Sequence, residues 1–189
     1  MFLWPAHDPQ TMILETERLT LRPMRRADAP ALFAILGDPE AMRFWDRPAI
    51  ARLAVVEDMV TEQLEWVAQG ICRYWTVWQG GDALGSVDLS LIRGRGAELG
   101  ILVRRDCWGQ GFAGEAVGAV MAHGFGPMEL LRVRARIHAE NRAAARLLLR
   151  AGFALEERRA DFPLPGGGVR PCEVYLRLAR DRSTAKNGA

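Results

Sequence analysis

Apolar residues recur along the chain with two different periods. In residues 13–22, Leu19 and Leu21 alternate with Arg18, Thr20 and Arg22, the period of a half-buried strand that Pro23 ends. Ala31, Leu32 and Ile35 mark a short helix, with Asp28 as N-cap, Pro30 in the first turn and Gly37 at its close. Residues 38–42 start a turn or short helix that leads to Phe44 and Trp45. Leu53, Val56, Val60, Leu64 and Val67 step by three and four, so residues 50–69 read as a longer helix that Gly70 stops.

The period then returns to two. Residues 71–78 are rich in aromatic and β-branched positions, and Gly80-Gly81-Asp82 forms a hairpin turn. In residues 83–92, Val87, Leu89 and Leu91 alternate with Ser86, Asp88 and Ser90. A second turn leads to residues 97–103, completing an antiparallel meander. Small residues from Ala113 to Phe125 form a helix that Gly126-Pro127 breaks. Residues 131–138 form a strand, parallel to its predecessor because a helix crosses between them. Asn141 caps a further helix that ends near Arg150, with Gly152 as its C′ residue. Strands at 153–159 and 169–179 flank a turn at 165–168.

The sum is an α+β fold. A mixed, mostly antiparallel sheet of about seven strands is joined by about four helices. One domain, 13–179, follows an N-terminal extension, 1–12, and precedes a polar tail, 180–189, expected to be disordered.

Composition narrows the classes. With 49% apolar and 25% charged residues, the chain is of ordinary globular type. No apolar run spans a membrane, and the apolar start lacks the basic flank of a signal peptide, so a cytoplasmic location is expected. Cys72, Cys107 and Cys172 show no metal spacing, and no metal is expected. Net charge is only +2, too small for a nucleic-acid surface. Lys186 is the sole lysine; Arg132, Arg134 and Arg136 alternate on one strand and read as a solvated face.

The chemistry concentrates at residues 98–122. A strand, the loop Gly109-Gln110-Gly111-Phe112-Ala113-Gly114 and a helix N-terminus make a phosphate site, because unpaired N–H groups and the helix dipole favour an anion. The spacing matches the dinucleotide pattern GxGxxG. Three features count against a dinucleotide fold: residues 104–108 separate the glycines from their strand, an antiparallel meander precedes them, and the acid expected at the end of the next strand is poorly matched, with only Glu140 lying past His138.

The order of elements and four stretches resemble the GNAT superfamily of N-acetyltransferases, in its ribosomal-protein N-acetyltransferase branch. These stretches are Glu15-Thr16-Glu17-Arg18-Leu19-Thr20-Leu21-Arg22-Pro23, Asp38-Pro39-Glu40-Ala41-Met42-Arg43-Phe44-Trp45, Glu98-Leu99-Gly100 with Trp108-Gly109-Gln110-Gly111-Phe112-Ala113, and His138-Ala139-Glu140-Asn141 with Ala151-Gly152-Phe153. The resemblance covers residues 13–178. It implies acetyl-CoA as co-substrate, with its pyrophosphate on Trp108, Gly109, Gln110, Gly111, Phe112, Ala113 and Gly114. It implies that pantetheine lies between two splayed parallel strands, against Leu99, Ile101 and Val103, with Asn141 and Arg146 nearby. Arg104, Arg105 and Arg142 are also near enough in sequence to reach phosphates.

The implied reaction is acetyl transfer to a primary amine, either a protein N-terminus or a small molecule. Glu98 is the favoured base, and His138 and Tyr175 are further catalytic candidates. Phe44, Trp45 and Asp88 are expected to line the acceptor pocket. The sequence departs from the family where a thiol-protonating hydroxyl is common, with Ala144 and Leu148 at those positions. A non-catalytic acetyl-CoA-binding module is therefore the alternative. A homodimer is suggested by the resemblance alone.

Overall fold

A computed structural model describes residues 12–164 and 167–179. The expected tail and, but for Met12, the expected N-terminal extension lie outside the described residues, as does half of the turn at 165–168. Eight strands form one sheet: β1 (Leu14–Glu15), β2 (Thr20–Pro23), β3 (Arg73–Gln79), β4 (Asp82–Arg93), β5 (Gly96–Val103), β6 (Arg132–His138), β7 (Ala154–Pro163) and β8 (Val169–Leu178). Their order is β1-β2-β3-β4-β5-β6-β8-β7, antiparallel except where β5 meets β6. Four helices accompany them: α1 (Ala29–Leu36), α2 (Leu53–Ala68), α3 (Phe112–Phe125) and α4 (Arg142–Arg150).

The additional strand comes from the first segment, expected to be continuous over 13–22. Thr16 folds it into a hairpin that pairs Leu14 with Leu21. The Leu19 N–H donates to Thr16 Oγ1 at 2.9 Å, and the Thr16 hydroxyl donates to Glu115 at 2.6 Å. A side chain bonding its own backbone competes with the ladder, and period-two alternation continues through so tight a turn.

A second correction concerns Asp28. It precedes α1, but its carboxylate makes no cap hydrogen bond to that helix. It is buried and accepts from Arg22 at 2.6 and 3.0 Å, from Thr76 Oγ1 at 2.7 Å and from the Arg25 N–H at 2.9 Å. Burying the charge requires such partners.

The sheet separates two cores. Val117, Val120 and Met121 of α3, with Leu148 of α4, pack on Val87, Leu89, Leu99 and Val133. On the other face, Leu32 and Ile35 of α1 and Val56 and Val60 of α2 enclose Leu102. The alternation of β4 and β5 sends apolar odd-numbered residues to the first core. The even-numbered set, Ser86, Asp88, Ser90, Glu98 and Gly100, faces the side of α1 and α2.

Candidate active site

Three rungs join β5 to β6: Gly96–Arg132, Ala97–Val133 and Glu98–Arg134. Beyond Glu98 the two strands part, and residues 99–103 present an edge with no partner on the β6 side. The gap continues a cavity of about 1300 Å³ that reaches both faces of the sheet. Single-ligand pockets run to roughly 300–1,000 Å³, so there is room for two substrates together.

At one end lies the glycine loop. β5 stops at Val103, and a single 3₁₀ turn, Arg105–Cys107, leads to Gly109 at φ +75° and Gly111 at φ +86°. Gly111 is the N-cap of α3, and no side chain caps that helix. The N–H groups of its first turn are left for an anion. The loop is braced from below. Arg18 pairs with Glu115 at 2.6 Å, donates to the Gln110 carbonyl at 3.1 Å and stacks 4.6 Å from the Phe112 ring. Trp108 Nε1 donates to the Val103 carbonyl at 2.8 Å, leaving its ring half-exposed beside the gap. An uncapped helix start, glycines in the left-handed region and an open strand edge together fit a phosphate joined to an extended amide-bearing arm.

Asn141 stands across the gap. Its Oδ1 accepts the Ala144 N–H at 3.0 Å, so it caps α4 as expected while lining the cavity. The helix closes on Gly152 at φ +80°, with the Phe153 N–H on the Leu148 carbonyl at 3.0 Å. Arg146 also lines the cavity. Arg104 is held by Asp106 at 2.6 Å, and Arg105 by Asp38 at 3.0 Å.

The other end is acidic at its floor and aromatic at its mouth. Glu98, half-buried, sits at the apex where the strands part. Asp88 is its diagonal neighbour on β4, opposite Gly100. Asp88 keeps part of its surface on the cavity but is otherwise enclosed, and that enclosure pushes its carboxyl up to about 7. A Ser90 hydrogen bond opposes the rise, and the charge of Glu98 adds to it. A Cβ at position 100 would meet the Asp88 carboxylate, so a larger residue there would push that side chain aside. Phe44 and Trp45 line the mouth, and Phe44 lies 5.3 Å from the His138 ring.

His138 ends β6 and faces the same space. The Glu140 N–H donates to its Nδ1 at 3.1 Å, so the neutral ring carries its proton on Nε2. Burial lowers its pKa, and Arg170 and Arg43 lower it further against Glu140 and Asp46. His138 therefore faces the cavity as an N–H donor.

The cavity lining includes every expected catalytic, cofactor-binding and acceptor-binding residue except Gln110 and Tyr175, and it does not include Arg104, Arg105 or Arg142. The Gln110 side chain folds back to the Asp106 carbonyl at 2.8 Å. Tyr175 is buried in the core, and its hydroxyl donates to Glu173 at 2.8 Å. Trp75 is fully buried and donates to the Met12 carbonyl at 2.7 Å. Two cavity residues had no sequence signal: Tyr74, which pairs with Asp88 across β3 and β4, and Cys172, which pairs with His138. Register and chain crossing place them, and no local pattern reports either. Among the described residues no cluster of His, Cys, Asp or Glu could hold a metal ion, and no helix is long and apolar enough to cross a membrane.

Residues 18–154 match the family model described as an acetyltransferase (GNAT) domain. The chain is 30% identical over 168 residues to the N-acetyltransferase p20 of Bacillus licheniformis, covering 86% of this chain and 93% of that protein. Its fold is similar to that of RimL, a ribosomal L7/L12 alpha-N-protein acetyltransferase in complex with coenzyme A, with TM-score 0.81 at 19% identity over 88% of this chain and 97% of that one. A spermidine N-acetyltransferase from Vibrio cholerae, in complex with CoA and spermine, aligns with TM-score 0.76 at 21% identity over 87% of this chain and 97% of that one.

Proposed function

The chain is an N-acetyltransferase of the GNAT family, and on that premise we propose that it moves an acetyl group from acetyl-CoA to a primary amine by direct attack within a ternary complex. The observation that carries this reading is the continuous cavity, from the uncapped start of α3 through the parted strands to the carboxylates beneath Phe44 and Trp45. Pyrophosphate is held by the backbone of residues 109–114, with Phe112 and Ala113 opening the helix. Pantetheine lies along β5 at Leu99, Ile101 and Val103, flanked by Trp108, Asn141 and Arg146. Backbone N–H groups near Leu99 to Ile101 polarise the thioester carbonyl.

Glu98 takes the proton that the acceptor ammonium loses, directly or through a water. It lies at the apex of the gap, where the acetyl end of an arm anchored at the glycine loop would arrive. His138 contributes an N–H toward the acceptor side. Asp88, Phe44 and Trp45 receive the acceptor; the Glu98 carboxylate suits an amine that arrives charged. Much of the rate comes from holding the two substrates together, an effect of up to about 7–11 kcal/mol in favourable cases.

The acceptor is a protein N-terminus or a small amine. RimL and the spermidine enzyme, alike in fold, are named for one of each. Initial rates measured against both substrates test the mechanism. Intersecting reciprocal plots, with no acetylated protein after incubation with acetyl-CoA alone, are expected. Parallel plots with an acetylated side chain would contradict direct attack. Glu98→Gln should lower turnover near pH 7 and lose less at higher pH.

A further inference from the structure

Ala144 and Leu148 leave no hydroxyl to protonate the departing thiol, yet the cavity holds another group that can. We propose that Asp88, in its protonated form, is the general acid that delivers a proton to the sulfur of coenzyme A, and that position 100 is glycine so that Asp88 can reach across β5. The proposal rests on the acetyl-transfer reading above and adds a residue to it.

Geometry supports it first. The Asp88 carboxylate occupies the place where a side chain at position 100 would begin. It therefore lies over β5 two residues past Glu98, the last residue paired with β6. There the strand borders the gap that would take the thioester. Other enclosed carboxylates carry an arginine: Asp28 has Arg22 at 2.6 Å, Glu115 has Arg18 at 2.6 Å, and Glu173 has Arg158 at 3.0 Å. Among the described residues no ion pair reaches Asp88, so no cation among them holds it ionised.

The groups that face it agree. They are Cys72 just before β3, Tyr74 on β3, Ser86 and Ser90 on β4 and Glu98 on β5. Gln63 of α2 and Arg47 of the preceding loop stand around Tyr74. Burial pushes the Cys72 thiol up to about 12 and raises the Tyr74 hydroxyl, so both stay neutral. Asp88, pushed up to about 7, is a stronger acid than a thiol of about 8.5. Proton transfer to the leaving sulfur is downhill.

The protons balance as follows. Glu98 takes one proton from the acceptor ammonium. The neutral nitrogen attacks the thioester carbon, the C–N bond forms and the C–S bond breaks with its electron pair on sulfur. Asp88 protonates that sulfur, giving the free thiol. The second proton leaving nitrogen returns to Asp88, and Glu98 releases its own to water. One proton appears in solution per turnover.

The test is the pH dependence of kcat for the wild type, Asp88→Asn and Glu98→Gln with one active amine. The wild-type rate should fall above about pH 7, as Asp88 ionises. Asp88→Asn should lower kcat about 100-fold or more and abolish that descending limb, with unchanged affinity for coenzyme A as proof of folding. Glu98→Gln should keep a descending limb, shallower than that of the wild type. With an acetyl aryl thioester, whose thiolate leaves without a proton, the Asp88→Asn loss should shrink to a few-fold. A descending limb that survives Asp88→Asn, or equal losses with both donors, overturns the proposal and leaves the acetyl-transfer reading standing. A wild type that releases no thiol with any amine overturns both.

Discussion

Gly111 sets the geometry of the anion site, and replacing it by Ala tests that directly. Its φ of +86° lies in the left-handed region, where a Cβ costs roughly 1–2 kcal/mol. The new Cβ would also stand 3.3 Å from Arg18 Nη2. Arg18 can yield a few tenths of an ångström despite its bond to Glu115, so the backbone term dominates. If the protein keeps its conformation, the cost appears as stability, roughly 2–8 °C in the thermal midpoint of a chain this long. If the loop relaxes, the cost appears as lost N–H geometry and about 5–30-fold weaker binding of coenzyme A. Calorimetric unfolding with and without coenzyme A separates the two. Gly118, in the exposed middle of the same helix, has open space and an ordinary φ. Gly118→Ala should stabilise by about 0.5–1 kcal/mol. Gly111→Asn should be milder than Gly111→Ala, because Asn tolerates the left-handed region. Gly111→Ala with wild-type stability and affinity, or Asn no better than Ala, would refute the reasoning.

Other outcomes follow from the same contacts. Asp28→Ala removes the buried partner of Arg22, Thr76 and the Arg25 N–H; it should cost about 3–5 kcal/mol in chemical unfolding while the folded fraction binds coenzyme A normally. Asn141→Ser keeps a cap acceptor and should stay within about 0.5 kcal/mol of wild type, while the KM for acetyl-CoA rises; Asn141→Ala should lose both. Asp88→Asn should gain stability over wild type as pH rises. The Asp88 carboxyl, ordinarily near 3.8 and pushed up to about 7 by the fold, favours folding fully below about pH 4 and loses that contribution through about pH 7. The gap between the two proteins should widen across that window by at most about 4 kcal/mol, read from denaturant unfolding at stepped pH.

The parts of the fold visible in the sequence are those written in local chemistry. Glycines at 80, 109, 111 and 152 mark a hairpin, the anion loop and a helix end, and each takes a positive φ. Asn141 announces a cap and makes it. The hairpin at Thr16 was hidden because alternation runs through it unchanged. Asp28 looked like a cap because it precedes Pro30, but its partners Arg22 and Thr76 come from two other strands. The site divides in the same way. The glycine loop is one continuous stretch, so sequence order exposes it. The meeting of Asp88 with Gly100 and Tyr74 depends on strand register, which no period of two specifies.

Thiol release from acetyl-CoA, measured against a panel of peptides, polyamines and aminoglycosides with the mass of each product, tests the central claim most directly. The account predicts that at least one primary amine gains an acetyl group at the rate at which thiol appears. Tight binding of coenzyme A with no acetylated amine from any class would contradict it and favour a module that holds the cofactor without using it.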